Sequence, residues 1–115
     1  MTKLNIALTI AGTDPTGGAG IMADLKSFQA RGVYGMAAIT SVVAQNTLGV
    51  QKICNLDLEI FEAQLKSVFD DIHPHALKTG MIPTLEHMGV IEKYLSKEIP
   101  YVLDPVMIAT SGDRL

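Results

Sequence analysis

Four short clusters hold the polar and small residues with which this sequence could do chemistry: Gly12-Thr13-Asp14, which opens a glycine-rich stretch running to Gly20, then Gln45-Asn46-Thr47, Gly80-Met81, and Asp104-Pro105-Val106-Met107. A neutral amide such as Gln45 offers one acceptor and two donors in a plane, the geometry that pairs with the ring nitrogen and exocyclic amine of an aminated heterocycle. Asp24, shortly after the glycines, could accept from a ligand hydroxyl or amine, and reads equally well as an ordinary acid near a helix N-terminus. Met81 and Val106 could close an apolar slot over a ring, or simply be core. Asp104 is held extended by the proline after it and could serve as a magnesium- or phosphate-site carboxylate. Turn formation accounts for Gly, Asn, Asp or Pro at any one of these places, and less well for all four together.

Other chemistries fit poorly. Gly12 and Gly17 have the spacing of a Walker loop, but Gly18-Ala19 stands where that loop needs Lys and Ser or Thr. Gly18-Ala19-Gly20-Ile21-Met22-Ala23 matches a dinucleotide fingerprint, yet no Asp or Glu lies between Phe28 and Asn55 to bind a ribose. His73, His75 and His87 show no zinc spacing with Cys54. Cys54 has no evident activating base. Lys78 could reach a ligand, but a strand-end lysine more often pairs at the surface or lays its stem over apolar neighbours.

The elements that must position these clusters are legible in the hydrophobic pattern. Ile6 to Ala11 is a short apolar run of the kind buried on both faces of a parallel sheet. The glycine stretch follows, and then Ile21, Leu25 and Phe28 recur at helical spacing as far as about Arg31, with Gly32 as the stop. Ala37 to Ala44 predicts a second strand, and Val50 to Ile53 a further short one. Leu58, Phe61, Leu65, Val68 and Ile72 form a helical stripe with Asp57 as N-cap. Ala76 to Thr79 is a strand leading into Gly80. Leu85, Met88, Ile91 and Leu95 form a third stripe with Lys97 in its last turn, and Tyr101 to Leu103 is a core strand with apolar residues on both faces, exposed as a raw edge if nothing covers it. This alternation predicts an α/β fold with a mostly parallel sheet. In such sheets ligands sit outside the carboxyl ends of the strands, and each of the four clusters follows a predicted strand.

Composition narrows the partners. The chain has 115 residues, 9 Lys+Arg against 12 Asp+Glu and a formal net charge of -3. A mildly acidic surface without a basic run disfavours nucleic acid and anionic membranes as partners. With 48% hydrophobic and 18% charged residues, and a mean hydropathy of +0.28, the sequence is too apolar for disorder, and its apolar residues are too dispersed for a membrane span. The single cysteine cannot form an intramolecular disulfide, so a reducing cytoplasm is the expected compartment. The apolar start is interrupted by Asn5 and Thr9 and reads as a buried strand rather than a signal peptide.

Taken together, Thr9 to Ile21, Ala23-Asp24-Leu25-Lys26, Ala44-Gln45-Asn46-Thr47, Lys78-Thr79-Gly80-Met81 and Asp104-Pro105-Val106-Met107 resemble the hydroxymethylpyrimidine and phosphomethylpyrimidine kinases of thiamine biosynthesis, members of the ribokinase-like superfamily. The resemblance spans nearly the whole chain, with the blocks in family order. It implies a three-layer ribokinase-like fold of which residues 1–115 are the N-terminal part of a single kinase domain. The pyrimidine site would use Gly12, Ala19, Asp24, Val43, Gln45, Met81 and Val106, so that the glycine loop lines the acceptor rather than the nucleotide. Asp104 would be the acid near the magnesium and ATP phosphates, with Mg2+ and ATP as the implied cofactor and co-substrate. The family's anion hole and catalytic Cys or Asp belong to a C-terminal half beyond these residues. No catalytic residue is therefore expected among residues 1–115, which alone are expected to be inactive. A cytoplasmic homodimer is implied for the full-length enzyme. Pyridoxal kinases share the Gly80 and Asp104 blocks and are the nearest alternative; a non-catalytic pyrimidine-binding module is another.

Overall fold

The computed structural model describes residues 4–104, and Pro105, Val106 and Met107 lie outside them. In chain order the elements are β1 (Ile6–Ala11), α1 (Gly20–Ala30), β2 (Tyr34–Ile39), β3 (Ser41–Asn46), β4 (Gly49–Asn55), α2 (Leu58–Phe69), β5 (Ala76–Thr79), α3 (Leu85–Glu92) and β6 (Tyr101–Leu103). Strands β2, β1, β5 and β6 form, in that order, a four-stranded sheet whose pairs are all parallel. β3 and β4 form a separate antiparallel hairpin. The mostly parallel α/β fold expected from the alternation is the one observed.

Side-chain alternation along β1 divides the core between the two faces of the sheet. Leu8 and Ile10 join Ala38 and Leu77 in one cluster with Phe61 and Leu65 of α2 and Val90 and Ile91 of α3. Thr9 turns to the other face, where Asp24 of α1 meets it. Gly35 of β2 also faces α1: a β-carbon there would stand 2.9 Å from Phe28 and 3.0 Å from Leu25. Helices thus cover both faces, which is why β1 is apolar along its length. α1 stops where expected, with Gly32 at a φ of 71°. Its N–H donates to Gln29 O and that of Val33 to Phe28 O, the paired closure that satisfies the last helical carbonyls.

Three expectations need correction. The predicted strand Ala37 to Ala44 is two strands, parted at the buried Thr40. Thr40 donates its N–H to Ala11 O at 2.9 Å and its hydroxyl to Met81 O, while its own carbonyl accepts from Leu56 N. The chain leaves the sheet there, so Gln45 and Asn46 lie within β3 of the hairpin and not after a sheet strand. The physical reason is visible in burial: Ser41 and Val43 are buried while Val42 and Ala44 are exposed, the one-sided pattern of an antiparallel ribbon. The third stripe is also displaced, because α3 ends at Glu92 and buries His87, Val90 and Ile91, leaving Leu85 88% exposed and Lys97 beyond the helix. Asp57 occupies the N-cap of α2 without a side-chain capping bond. As expected, Val102 and Leu103 of β6 are exposed at the edge of the sheet among the described residues.

Candidate functional site

The carboxyl end of β1 gathers four of the expected acceptor residues, Gly12, Val43, Gln45 and Met81. Gly12 is buried, and a β-carbon on it would meet Met81 Cε at 2.9 Å and Val43 Cγ2 at 3.5 Å, so Met81 and Val43 flank the backbone of the glycine loop. Thr13 then ties the loop to the hairpin. Its N–H donates to Ser41 O at 3.0 Å, its hydroxyl accepts from Val43 N at 2.9 Å, and its carbonyl lies 3.4 Å from Gln45 Nε2. The half-buried Gln45 amide is therefore held against the loop by one donor, with its carbonyl oxygen making no hydrogen bond among the described residues. The Gln45 amide against Thr13 O, and the Met81 and Val43 side chains against Gly12, put groups for polar pairing and for apolar contact at the same end of β1, the two kinds of contact a flat heterocycle needs.

The loop itself is organised by Asp14. One carboxylate oxygen accepts from Thr16 N and Thr16 Oγ1, and the other accepts from Gly18 N at 3.0 Å. Burial opposes ionisation of this carboxyl, but the donors from Thr16, Gly18 and Ala19 outweigh it and hold the group below the ordinary aspartate range. Lys26 of α1 donates to Gly17 O. Gly20, at a φ of 60°, opens α1 directly against the loop: a side chain there would collide with the Gly12 carbonyl oxygen, which accepts the Ile21 N–H. Ala19, at the N-cap of α1, is exposed.

Asp24 lies on the α1 face of the sheet, and its Oδ2 accepts from Thr9 Oγ1 at 2.6 Å and from Lys78 Nζ at 2.7 Å. The side chains of Lys78 and Asp24 are 20% and 19% exposed. Asp104 follows β6, where its N–H donates to Thr79 O, and its Oδ2 lies 4.0 Å from the same Lys78 ammonium. Thus Gly12, Val43, Gln45 and Met81 are brought together, while Asp24 and Asp104 are linked to each other through Lys78.

Lys78 is the residue that sequence reasoning undervalued. A signal was present: a lysine within a buried strand must find a counter-charge, because an unpaired buried charge is strongly disfavoured. The buried hydroxyl of Thr9 was missed for lack of any comparable signal, since a threonine in an apolar run is ordinary strand composition, whereas Thr13 stood in a cluster singled out for chemistry without its role as the link to the hairpin being evident. Two of the histidines make hydrogen bonds that tie elements together. His87 is buried with Nδ1 against Thr84 Oγ1 and Nε2 against Leu56 O, and His75 Nδ1 accepts from Ile6 N. Cys54 is an exposed free thiol. No group of three metal-ligating side chains exists among the described residues. A single carboxylate such as Asp104 still suits Mg2+ carried on nucleotide phosphates, because that ion keeps waters and phosphates as most of its ligands.

Comparison with known proteins bears directly on this arrangement. The family model described as phosphomethylpyrimidine kinase matches residues 14–115. A hydroxymethylpyrimidine/phosphomethylpyrimidine kinase of Staphylococcus aureus strain Mu50 is 64% identical across the whole chain, which covers 42% of that protein. The enzyme of the same description from Salmonella typhimurium is 48% identical, again over the whole chain and 44% of the relative. Among solved structures, a phosphomethylpyrimidine kinase from Clostridium difficile 630 superposes with a TM-score of 0.85 at 49% identity, covering 96% of this chain and 49% of that one. A pyridoxal kinase from Staphylococcus aureus, in complex with pyridoxal, superposes with a TM-score of 0.81 at 39% identity, over 93% of this chain and 41% of that one. The chain spans less than half the length of these relatives. Its fold is that of the ribokinase-like kinases, and by the match over residues 14–115 the chain belongs to the phosphomethylpyrimidine kinase family.

Proposed function

We propose that the full-length kinase containing these residues transfers the γ-phosphoryl group of ATP to the hydroxymethyl group of 4-amino-5-hydroxymethyl-2-methylpyrimidine, and then to its monophosphate, in thiamine biosynthesis. The observation that carries this reading is the Gln45 amide held against Thr13 O beside Gly12, Val43 and Met81. A ring nitrogen and an exocyclic amine on one edge of the pyrimidine match the donor and acceptor of that amide, and Met81 and Val43 match its apolar faces. Ala19, Asp24 and Val106 complete the acceptor site in this reading, with Val106 outside the described residues. Asp104 serves the Mg2+ and ATP side, where the metal neutralises phosphate charge during transfer. The relatives named for this activity at 64% and 48% identity support the same assignment. The general base and the anion hole are assigned in this reading to the part of the relatives' length that these residues do not cover.

The pyridoxal kinase superposition supports a second reading, in which pyridoxal is the preferred acceptor. We read the full-length kinase as a cytoplasmic homodimer without nucleic-acid or membrane partners. The mildly acidic balance of these 115 residues supports the part of this reading that concerns nucleic acid and anionic membranes. The test is ATP-dependent phosphate transfer by the full-length protein with each acceptor varied in turn. The expected result is a kcat/KM for the aminopyrimidine at least about tenfold above that for pyridoxal, the discrimination that one buried, correctly paired polar contact provides. Preference for pyridoxal would establish the second reading. Binding of the pyrimidine without phosphate transfer would show a binding module.

A further inference from the structure

Lys78 stands at a junction that the pyrimidine-site and ATP-site assignments leave without a role. It projects from β5, a central strand of the parallel sheet, and is paired in register with Thr9 of β1, so both side chains leave the same face toward α1. Both donate to one atom, Asp24 Oδ2, at 2.7 Å and 2.6 Å. Asp24 Oδ1 makes no hydrogen bond among the described residues. Two donors on one oxygen fix the carboxylate's rotation and leave the other oxygen, among the described residues, without a donor. The same ammonium lies 4.0 Å from Asp104 Oδ2. Gly80 keeps this space open, since a β-carbon there would stand 3.2 Å from Lys78 Nζ.

We propose that Lys78 is a positioning residue: with Thr9 it locks Asp24 through Oδ2 so that Oδ1 faces the aminopyrimidine, and it carries one positive charge between the acceptor-side acid Asp24 and the nucleotide-side acid Asp104. This rests on the function proposed above. The pair is four-fifths buried, so it is weakly screened and orients its carboxylate far more firmly than a surface pair does. Without the ammonium, Asp24 keeps one donor and regains rotational freedom. The loss then falls on whatever Oδ1 was aimed at, and less on the nucleotide.

The test uses the full-length kinase with Lys78→Met, Lys78→Arg and Thr9→Val. Calorimetric binding of the aminopyrimidine without ATP is measured first, then KM for each substrate. Lys78→Met is expected to weaken pyrimidine binding and raise its KM by about tenfold or more, the scale of a lost charge-assisted hydrogen bond, with a change of less than about threefold in KM for ATP. Lys78→Arg, which keeps the charge, is expected to restore part of the affinity. Thr9→Val keeps the ion pair and removes the other anchor, so it should weaken pyrimidine binding by a few fold even if Lys78→Met does not fold. Pyrimidine affinity in both Lys78→Met and Thr9→Val within about twofold of wild type overturns the proposal, as does an equal rise in both KM values with a lowered Tm, which marks a merely structural lysine. A wild-type protein that binds no aminopyrimidine overturns the functional reading, and this one with it.

Discussion

The hydroxyl of Thr13 accepts the Val43 amide hydrogen at 2.9 Å, joining the glycine loop after β1 to the β3–β4 hairpin through a buried bond between segments thirty residues apart. Val43 and Gln45 take their places beside Gly12 through this link. Thr13→Val keeps the shape and removes the acceptor, leaving the Val43 N–H unpaired in a buried place. The expected cost is about 1–3 kcal/mol of stability, with weaker aminopyrimidine binding in the full-length kinase. Thermal unfolding and calorimetry on the same variant check both parts, and an unchanged Tm would show that water replaces the bond.

Asp14 predicts a pH dependence. Its folded-state pKa lies below its ordinary value, so it contributes stability that is fully present above the unfolded-state pKa of about 4. That contribution is lost as pH falls through the folded value, because protonation removes the charge that Thr16 and Gly18 donate to. Asp14→Asn should therefore be less stable at neutral pH, by about 1–2 kcal/mol for lost charge-assisted bonds, and its difference from wild type should shrink below about pH 4. Denaturant unfolding at pH 7 and pH 3 measures this, and a constant difference between the two would refute it.

Much of this arrangement was legible in the sequence, and what was not has identifiable causes. The apolar run Ile6 to Ala11, the stop at Gly32 and the strand Ala76 to Thr79 are local signals, and each element lies where they put it. The break at Thr40 is not local: it depends on the Thr40 hydroxyl reaching Met81 O, forty-one residues along the chain. Likewise, the register that sets Thr9 opposite Lys78 follows from strand pairing, and nothing in Ala76-Leu77-Lys78-Thr79 reveals which neighbour the lysine will find. Gly12, Gln45 and Met81 were recognisable as chemistry, but only the hairpin's fold-back, with β3 docked on the loop through Thr13, shows how they meet.

Gly20→Ala should be disproportionately harmful for a one-carbon change. Gly20 has a φ of 60°, and an added β-carbon would also run into the backbone carbonyl of Gly12, which cannot swing aside as a side chain can. The left-handed conformation alone costs roughly 1–2 kcal/mol for a non-glycine residue, and relief of the collision must shift the loop or α1. The expectation is a loss of about 2 kcal/mol or more by denaturant titration, together with weaker acceptor binding. Gly89→Ala is the control, since a β-carbon there meets nothing within 4 Å and glycine is the poorer helix former. If the two variants are equally stable, the Gly20 backbone is not the constraint described.

Gln45 and Asp104 mark the two ends of the proposed phosphoryl transfer. Gln45 meets the loop at Thr13 O, while Asp104 follows β6 and is exposed, so the two side chains belong to different strand ends and share no hydrogen bond. On the proposed function, Gln45→Ala in the full-length kinase would leave polar edges of a bound aminopyrimidine unpaired, at roughly 1–3 kcal/mol, and should lower kcat/KM for the pyrimidine about tenfold to a hundredfold with little change in KM for ATP. On the proposed function, Asp104→Asn would remove a negative charge from the magnesium and phosphate side, and should lower kcat while leaving pyrimidine affinity nearly unchanged. If Gln45 only shapes the hairpin and Asp104 only ends a strand, both variants should instead lose modest stability and affect the two substrates equally. Steady-state kinetics with each substrate varied separately distinguishes the cases. Pyrimidine constants unmoved by Gln45→Ala would remove the amide from the acceptor site, and a kcat unmoved by Asp104→Asn would remove the carboxylate from the nucleotide side.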